Sequence, residues 1–276
     1  MSDPGSCSSS PAAGSAAGPT GRPLGGLAPQ AAAAGRGTPR LCVEQLHAGY
    51  GRSEVLHGLD LLLRAGQSMC LVGPNGAGKS TVLNALFGMA DIGRGTITIE
   101  GRTLDRAVPA AERLARFGMA YVLQDSSVFP DLTVEQNLRL GGYVLRDPAR
   151  VTALLQAIFE EQPRLAERRR SPARVLSGGE RRLLEIGRAL MTGPRLLLID
   201  EPSIGLEPRA VGLVFETLKA RQEAQGLSIL LVEQNVRQGL GFADLGCVMV
   251  AGRVVAAGSG VELLRDRHLG DLFLGR

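Results

Sequence analysis

The chain has 276 residues, 44% of them hydrophobic, and a net charge of +4 from 31 basic and 27 acidic side chains. That is enough apolar material for one large domain or two small ones. The charge is too slight, and an aromatic content of 4% without tryptophan too low, for a nucleic-acid platform. No apolar run reaches the length of about 18 residues that a membrane span needs, and none of Cys7, Cys42, Cys70 and Cys247 forms a CxxC pair, so neither a cysteine-based zinc site nor a disulfide framework is expected.

Of the first 40 residues, 29 are Gly, Ala, Pro or Ser. Such a segment buries too little apolar area to offset the entropy of ordering it, so residues 1–40 read as a disordered tail. No apolar stretch follows a basic start, as a secretory signal would require. Arg22, Arg36 and Arg40 against Asp3 place half of the net charge in this tail and leave residues 41–276 nearly neutral.

Strand-length apolar runs then alternate with helical patterns. Ser68–Val72 reads as a buried strand, residues 80–88 as a helix, and 96–100 and 119–123 as strands. Thr133 and Gln136 form a capping-box pair opening a helix to Leu140, and 151–160 is helical again. After Gly178, the residues Leu183, Ile186, Gly187 and Leu190 share one helical face. Leu196–Ile199 is apolar throughout, as in a strand buried on both sides of a parallel sheet. Val211, Val214, Phe215 and Leu218 form a helical stripe, Ile229–Val232 another buried strand, and 245–250 with 253–256 a hairpin. The alternation predicts an α/β core with a parallel sheet, interrupted by a helical stretch over about 131–177 that has the size of a subdomain.

Between the first buried strand and the following helix stands Gly73-Pro74-Asn75-Gly76-Ala77-Gly78-Lys79-Ser80, a G-x-x-x-x-G-K-[ST] phosphate loop in its required context. Glycines let backbone N–H groups close around phosphate oxygens. The helix start adds free donors and a partial positive charge. Lys79 supplies a point charge for the β- and γ-phosphates, Ser80 a hard oxygen for Mg²⁺, and Thr81 supports the adjacent phosphate. The Leu196–Ile199 strand ends in Asp200-Glu201-Pro202. Ligands of parallel sheets bind beyond the carboxyl ends of the strands, so these acids and the loop converge. Asp200 is the candidate Mg²⁺ holder and Glu201 the candidate group that orients and polarises the attacking water.

Leu176-Ser177-Gly178-Gly179-Glu180, opening a helix, resembles the LSGGQ signature of ATP-binding-cassette (ABC) ATPases, with Glu180 in place of Gln. Three motifs stand in the order of that family. The resemblance implies a P-loop NTPase fold with a mixed β core, an antiparallel β subdomain and an inserted α-helical subdomain, with ATP and Mg²⁺ as cofactors. It implies that Ser177, Gly178, Gly179 and Glu180 contact an ATP held by a partner chain, that Tyr50 stacks on adenine, and that Gln124 is the Q-loop residue reaching Mg²⁺ and the attacking water. Ser203–Leu206 matches the D-loop. Gln234 stands where the family has its switch histidine. Gln can hydrogen-bond a γ-phosphate but does not titrate, which leaves Glu201 as the favoured catalytic group. His47, His57 and His268 do not fit the switch position and read as ordinary surface or core residues.

Four segments resemble the second ATPase subunit (LivF-type) of branched-chain amino-acid importers: Leu46-His-Ala-Gly-Tyr50-Gly, Val128-Phe-Pro-Asp-Leu-Thr133-Val-Glu-Gln-Asn-Leu138, Glu185-Ile-Gly-Arg-Ala-Leu-Met191 and Leu231-Val-Glu-Gln-Asn235. The end Asp271-Leu-Phe-Leu-Gly275 fits too. Tyr121-Val-Leu-Gln124-Asp-Ser departs from that subfamily and is closer to urea or short-amide importers, the alternative cargo. The resemblance implies a heterodimer with a second ABC ATPase subunit, with a homodimer as the other option. It also implies two membrane permeases, a periplasmic substrate-binding protein, and a place on the cytoplasmic face of a bacterial inner membrane. The other class of reading is a soluble ABC ATPase of cofactor assembly. A repair-type cassette is not expected, because only 97 residues lie between Lys79 and Ser177 and they carry no sustained heptads. The arginines at 164, 168, 169, 170, 174, 181 and 182 are interleaved with Glu160, Glu161, Glu167 and Glu180, and read as a solvated or partner-facing surface rather than a nucleic-acid site.

Overall fold

The computed structural model describes residues 37–124 and 127–266, except the side chain of Ala111. Residues 1–36 of the expected tail, with Cys7, lie outside the described residues, as do Asp125, Ser126, His268 and the 271–275 segment. The first strand already starts at Pro39, inside the stretch assigned to the tail.

Two sheets form the chain. β1 (Pro39–Tyr50) and β2 (Ser53–Arg64) make a long hairpin, and β4 (Asp91–Ile99) with the short β5 (Arg102–Thr103) completes an antiparallel sheet in the order β2-β1-β4-β5. The second sheet contains β3 (Ser68–Val72), β6 (Met119–Val122), β7 (Leu196–Asp200), β8 (Ser228–Val232), β9 (Leu245–Val250) and β10 (Arg253–Ser259), in the order β10-β9-β3-β8-β7-β6. It is parallel from β6 to β9 and closed by antiparallel β10. β4 and β10 run beyond the expected 96–100 and 253–256 because each keeps pairing with its neighbour, β4 back to Asp91 opposite Gly49 and β10 on to Ser259 opposite Leu245.

The central strands are buried on both faces, as their unbroken apolar sequences require. Leu197 and Ile199 of β7, Ile229 and Leu231 of β8, and Cys70 and Val72 of β3 belong to one core cluster. The intervening Leu196 and Leu198, Leu230 and Val232, and Met69 and Leu71 belong to the other. The second core lies between the parallel sheet, helix α1 (Lys79–Phe87) and the antiparallel sheet. The first lies under the helices α3 (Val134–Gly141), α4 (Pro148–Glu161), α6 (Gly178–Leu190) and α7 (Pro208–Gln225).

Between β6 and β7 come α3, α4, α5 (Pro163–Glu167), a 3-10 turn over Ala173–Val175 and α6. The expected capping box is present: Thr133 Oγ1 accepts from the Gln136 N–H at 3.1 Å while Gln136 Oε1 accepts from the Thr133 N–H at 2.9 Å. Short helices over Ala110–Phe117 (α2), Val236–Phe242 (α8) and Gly260–Arg265 (α9) were not legible as periodic patterns. At under ten residues each, they depend on packing and on caps such as Asn235 and the Ser259–Glu262 box. No helix among the described residues is long and apolar enough to cross a membrane.

Candidate functional site

The phosphate loop turns from the carboxyl end of β3 into α1. Gly76 and Gly78 have φ of 78° and 95°, a left-handed conformation that other residues adopt only with strain. A Cβ on Gly73 would stand 2.2 Å from the Met249 carbonyl oxygen. The loop is therefore a cradle that side chains would fill. Pro74, Asn75 and Gly76 are exposed, Ala77 to Lys79 and Thr81 buried, and Ser80 half-buried. Gly78 caps α1 without a side chain, and no acid sits in the first turn, so the helix start keeps its positive end for an anion. The Lys79 ammonium donates to the Gly73 and Pro74 carbonyls at 2.9 and 3.1 Å. Burial lowers its pKa, and the nearby carboxylates Glu201 and Asp200 oppose that shift.

The carboxyl ends of β6, β7 and β8 deliver the remaining groups to the same edge. Ser80 Oγ donates to Asp200 Oδ1 at 3.1 Å. This hydroxyl–carboxylate pair is a hard-oxygen donor set that fits a divalent cation such as Mg²⁺. Gln124 Nε2 donates to Glu201 Oε2 at 3.2 Å, so Gln124 is joined to the candidate base and not to the Ser80–Asp200 pair. Glu201 itself is buried at a φ of 44°, a left-handed conformation costing about 1–3 kcal/mol in a non-glycine residue. Its N–H donates to the Val232 carbonyl at 3.0 Å, which fixes this turn against β8. Gln234 is exposed and, with Glu201, Ser203, Ile204, Glu233 and Asn235, lines an open pocket of about 300 Å³.

Burial raises the carboxyl pKa of both acids, and for Glu201 the charge of Asp200 adds to the rise. A group whose folded pKa lies above its unfolded value contributes stability at low pH that is lost as pH rises through the folded pKa. Glu201→Gln is therefore expected to raise the melting temperature of the nucleotide-free protein, by more at pH 8 than at pH 5. Paired calorimetric scans check this; a gain that shrinks toward pH 8 would contradict it.

Tyr50, at the exposed end of β1, accepts a 2.8 Å hydrogen bond from Asn84 Nδ2, which ties its ring to the outer flank of α1. Asn84 Oδ1 and Asp200 Oδ2 lie 3.2 and 3.4 Å from the Tyr121 hydroxyl, two acceptors for its single proton. Burial pushes the Tyr121 phenol upward, with the Asp200 charge adding to it, so it stays protonated. A polar chain thus runs Tyr50–Asn84–Tyr121–Asp200–Ser80. Sequence reasoning assigned nothing to Asn84 and Tyr121. The signal available was spacing: Asn84 stands four residues after Ser80 on one helix, and Tyr121 is the penultimate residue of the strand beside β7.

Among the described residues, the signature residues hydrogen-bond with one another and not with the loop. Ser177 caps α6. Its hydroxyl accepts from the Glu180 N–H at 3.3 Å, and Glu180 Oε2 accepts from the Ser177 N–H at 2.9 Å. Glu180 thus completes a capping box, with Arg168 at 3.2 Å from its other oxygen. Gly178 and Gly179 face the start of α7 and the turn before it; a Cβ on Gly179 would come 2.6 Å from the Cβ of Ala210.

One expectation is overturned. Arg182 is no surface group: its side chain is 6% exposed. It donates to the carbonyls of Leu123 (2.9 Å), Asp200 (3.3 Å), Glu201 (2.8 Å) and Pro202 (3.3 Å), and pairs with buried Glu185 at 2.9 Å. One guanidinium therefore holds the ends of β6 and β7 in place. The alternation of charges hid it, because in α6 position 182 turns inward with 183 and 186. Glu233 was also missed. Its buried carboxylate accepts from the N–H groups of Ser203 (3.0 Å) and Asn235 (3.1 Å), joining the two turns beside Glu201.

Residues 56–204 match the ABC transporter family. The chain is similar to the high-affinity branched-chain amino acid transport ATP-binding protein BraG of Pseudomonas aeruginosa, at 38% identity over 85% of this chain and 99% of that one. It is also similar to the Nod factor export ATP-binding protein I of Ralstonia nicotianae, at 37% identity over 82% of this chain and 69% of that one. Its fold matches a crystal structure of the ADP conformation of an ATP-binding cassette of an ABC transporter, with a TM-score of 0.75, 26% identity, and coverage of 86% of this chain and 99% of the other.

Proposed function

The chain belongs to the ABC transporter ATPase family, and from that premise we propose that it energises uptake of branched-chain amino acids across a bacterial inner membrane, from its cytoplasmic face. It is the ATP-binding, ATP-hydrolysing component of a transporter, and membrane permeases are its partners. The observation that carries the cargo is the match to BraG over nearly that protein's whole length, where the Nod factor export protein is covered for only 69%. The Nod-factor relatives make export the second reading.

In this reading the phosphates of ATP lie in the Gly73–Thr81 cradle, with Lys79 beside the β- and γ-phosphates and adenine against Tyr50. Ser80 and Asp200 would hold Mg²⁺, which supplies charge neutralisation on the phosphate oxygens when bound. Water attacks the γ-phosphorus while the bond to the β,γ-bridging oxygen breaks, and Glu201 orients that water and takes its proton. A carboxylate with a pKa raised by partial burial and by the Asp200 charge is suited to that transfer. Gln124 holds the Glu201 carboxylate, and Gln234 stands at the rim of the same pocket to hydrogen-bond the γ-phosphate. Ser177 to Glu180 meet the ATP of a second ABC ATPase subunit, with which this chain forms a heterodimer. A periplasmic binding protein delivers the amino acid, so cargo selection lies outside this chain.

The test is reconstitution with its membrane permeases, the second ATPase subunit and the periplasmic binding protein. With ATP supplied on the cytoplasmic side, leucine, isoleucine and valine are expected to accumulate and to stimulate hydrolysis. Stimulation by urea or by a Nod factor instead, or indifference to amino acids, would contradict the cargo while leaving the ATPase assignment standing.

A further inference from the structure

The β1–β2 hairpin, whose β1 ends in Tyr50, gathers His47, Glu54 and His57. The two histidines face each other as a register pair across the strands. Glu54 Oε1 lies 2.7 Å from His47 Nδ1 and 3.0 Å from His57 Nδ1, and the candidate ligand atoms of all three residues fall within 4.8 Å of one another. We propose that His47, Glu54 and His57 form a binding site for one late first-row divalent metal ion, of which Zn²⁺ is the representative, with water completing the coordination.

The donor set carries the choice of ion. Two imidazole nitrogens and one carboxylate oxygen suit Zn²⁺ and its neighbours and do not suit Mg²⁺, which prefers oxygen ligands throughout. Bond lengths of about 2.0–2.2 Å to such ligands require tetrahedral ligand separations of about 3.3–3.5 Å, so the two hydrogen bonds must open by about half an ångström. The strands allow it: His47 is fixed in the sheet, while the side chains of His57 and Glu54 are 36% and 50% exposed and admit an ion from solvent.

One neighbour opposes the ion. Arg94, opposite His47 on β4, brings Nη2 within 3.4 Å of His47 Nδ1 and must turn outward into solvent. Two backbone hydrogen bonds tie the hairpin to the phosphate loop. The His57 N–H donates to the Gly252 carbonyl, and the Gly252 N–H donates to the Ala77 carbonyl of the phosphate loop, each at 3.0 Å.

The experiment uses the full chain, stripped with chelator and free of nucleotide, titrated with ZnCl₂ in a calorimeter and with CoCl₂ in a visible spectrometer. One Zn²⁺ site is expected, persisting in millimolar MgCl₂ and in Asp200→Asn. The His57→Gln and Glu54→Gln variants, whose thermal melts confirm that they fold, should each bind more than about tenfold more weakly and lose the Co²⁺ visible bands. Arg94→Gln should bind more tightly. His47 is buried, and the test does not depend on replacing it. No Zn²⁺ binding by the wild-type chain, or affinity unchanged in both His57→Gln and Glu54→Gln, would overturn the proposal and leave a hydrogen-bonded triad.

Discussion

Replacing Glu201 with Gln is expected to leave ATP binding intact and to lower the rate of hydrolysis by about 10²–10⁴-fold, the range for loss of a positioned general base. The amide keeps the volume of the carboxylate, and its carbonyl oxygen still accepts from Gln124 Nε2. What it removes is the proton acceptor. The effect should therefore fall on kcat, with nucleotide affinity held by the loop and the α1 terminus. Phosphate release and equilibrium binding of a fluorescent ATP analogue separate the two. Hydrolysis near the wild-type rate would remove Glu201 from its role and pass it to another group at the pocket.

Arg182→Met is expected to destabilise the protein by about 3–5 kcal/mol, because it leaves the Glu185 carboxylate buried without its partner. The carbonyls of Leu123, Asp200, Glu201 and Pro202 lose their shared donor at the same time. A second change, Glu185→Met, should recover part of the loss, since an apolar pair of similar volume avoids the orphaned charge. Urea denaturation of the single and double variants measures both. A single-variant loss below about 1 kcal/mol would show that the network is solvated and weak. Where the variant folds, hydrolysis should fall more than ATP binding does, because Arg182 holds the backbone of Asp200 and Glu201 and touches no part of the loop.

The parallel sheet was legible because each central strand is short and apolar throughout, and only burial on both faces explains Leu196–Ile199 or Ile229–Val232. The phosphate loop was legible because its chemistry is local: glycines, lysine and serine stand in one run. The pair Asp200–Glu201 could be placed beside it from the rule that ligands gather at the carboxyl ends of parallel strands. What the sequence could not reveal was hydrogen bonding between residues far apart along the chain. Ser80 meets Asp200 across 120 positions and Gln124 meets Glu201 across 77. Tyr121 and Asn84 looked like an ordinary strand residue and an ordinary helix residue until the sheet brought them together. Arg182 was misread for a related reason. In a run of alternating charges, the helical phase alone sends one arginine into the core, and four of its five acceptors there are backbone carbonyls, which no sequence pattern records. The histidine pair was hidden by the β1–β2 register, which the bulge at Gln45 shifts.

The central claim is that this chain binds ATP by wrapping its phosphates in the Gly73–Thr81 loop with Lys79 as the buried counter-charge. Equilibrium binding of ATP to the wild-type chain and to Lys79→Ala tests it most directly, since it needs neither the second ATPase subunit nor the membrane partners. The wild type should bind one ATP per chain, and Lys79→Ala should bind at least about tenfold more weakly, as expected for loss of a charge-assisted phosphate contact worth about 1.5–3 kcal/mol. Equal affinity in the two proteins, with both folded, would contradict it.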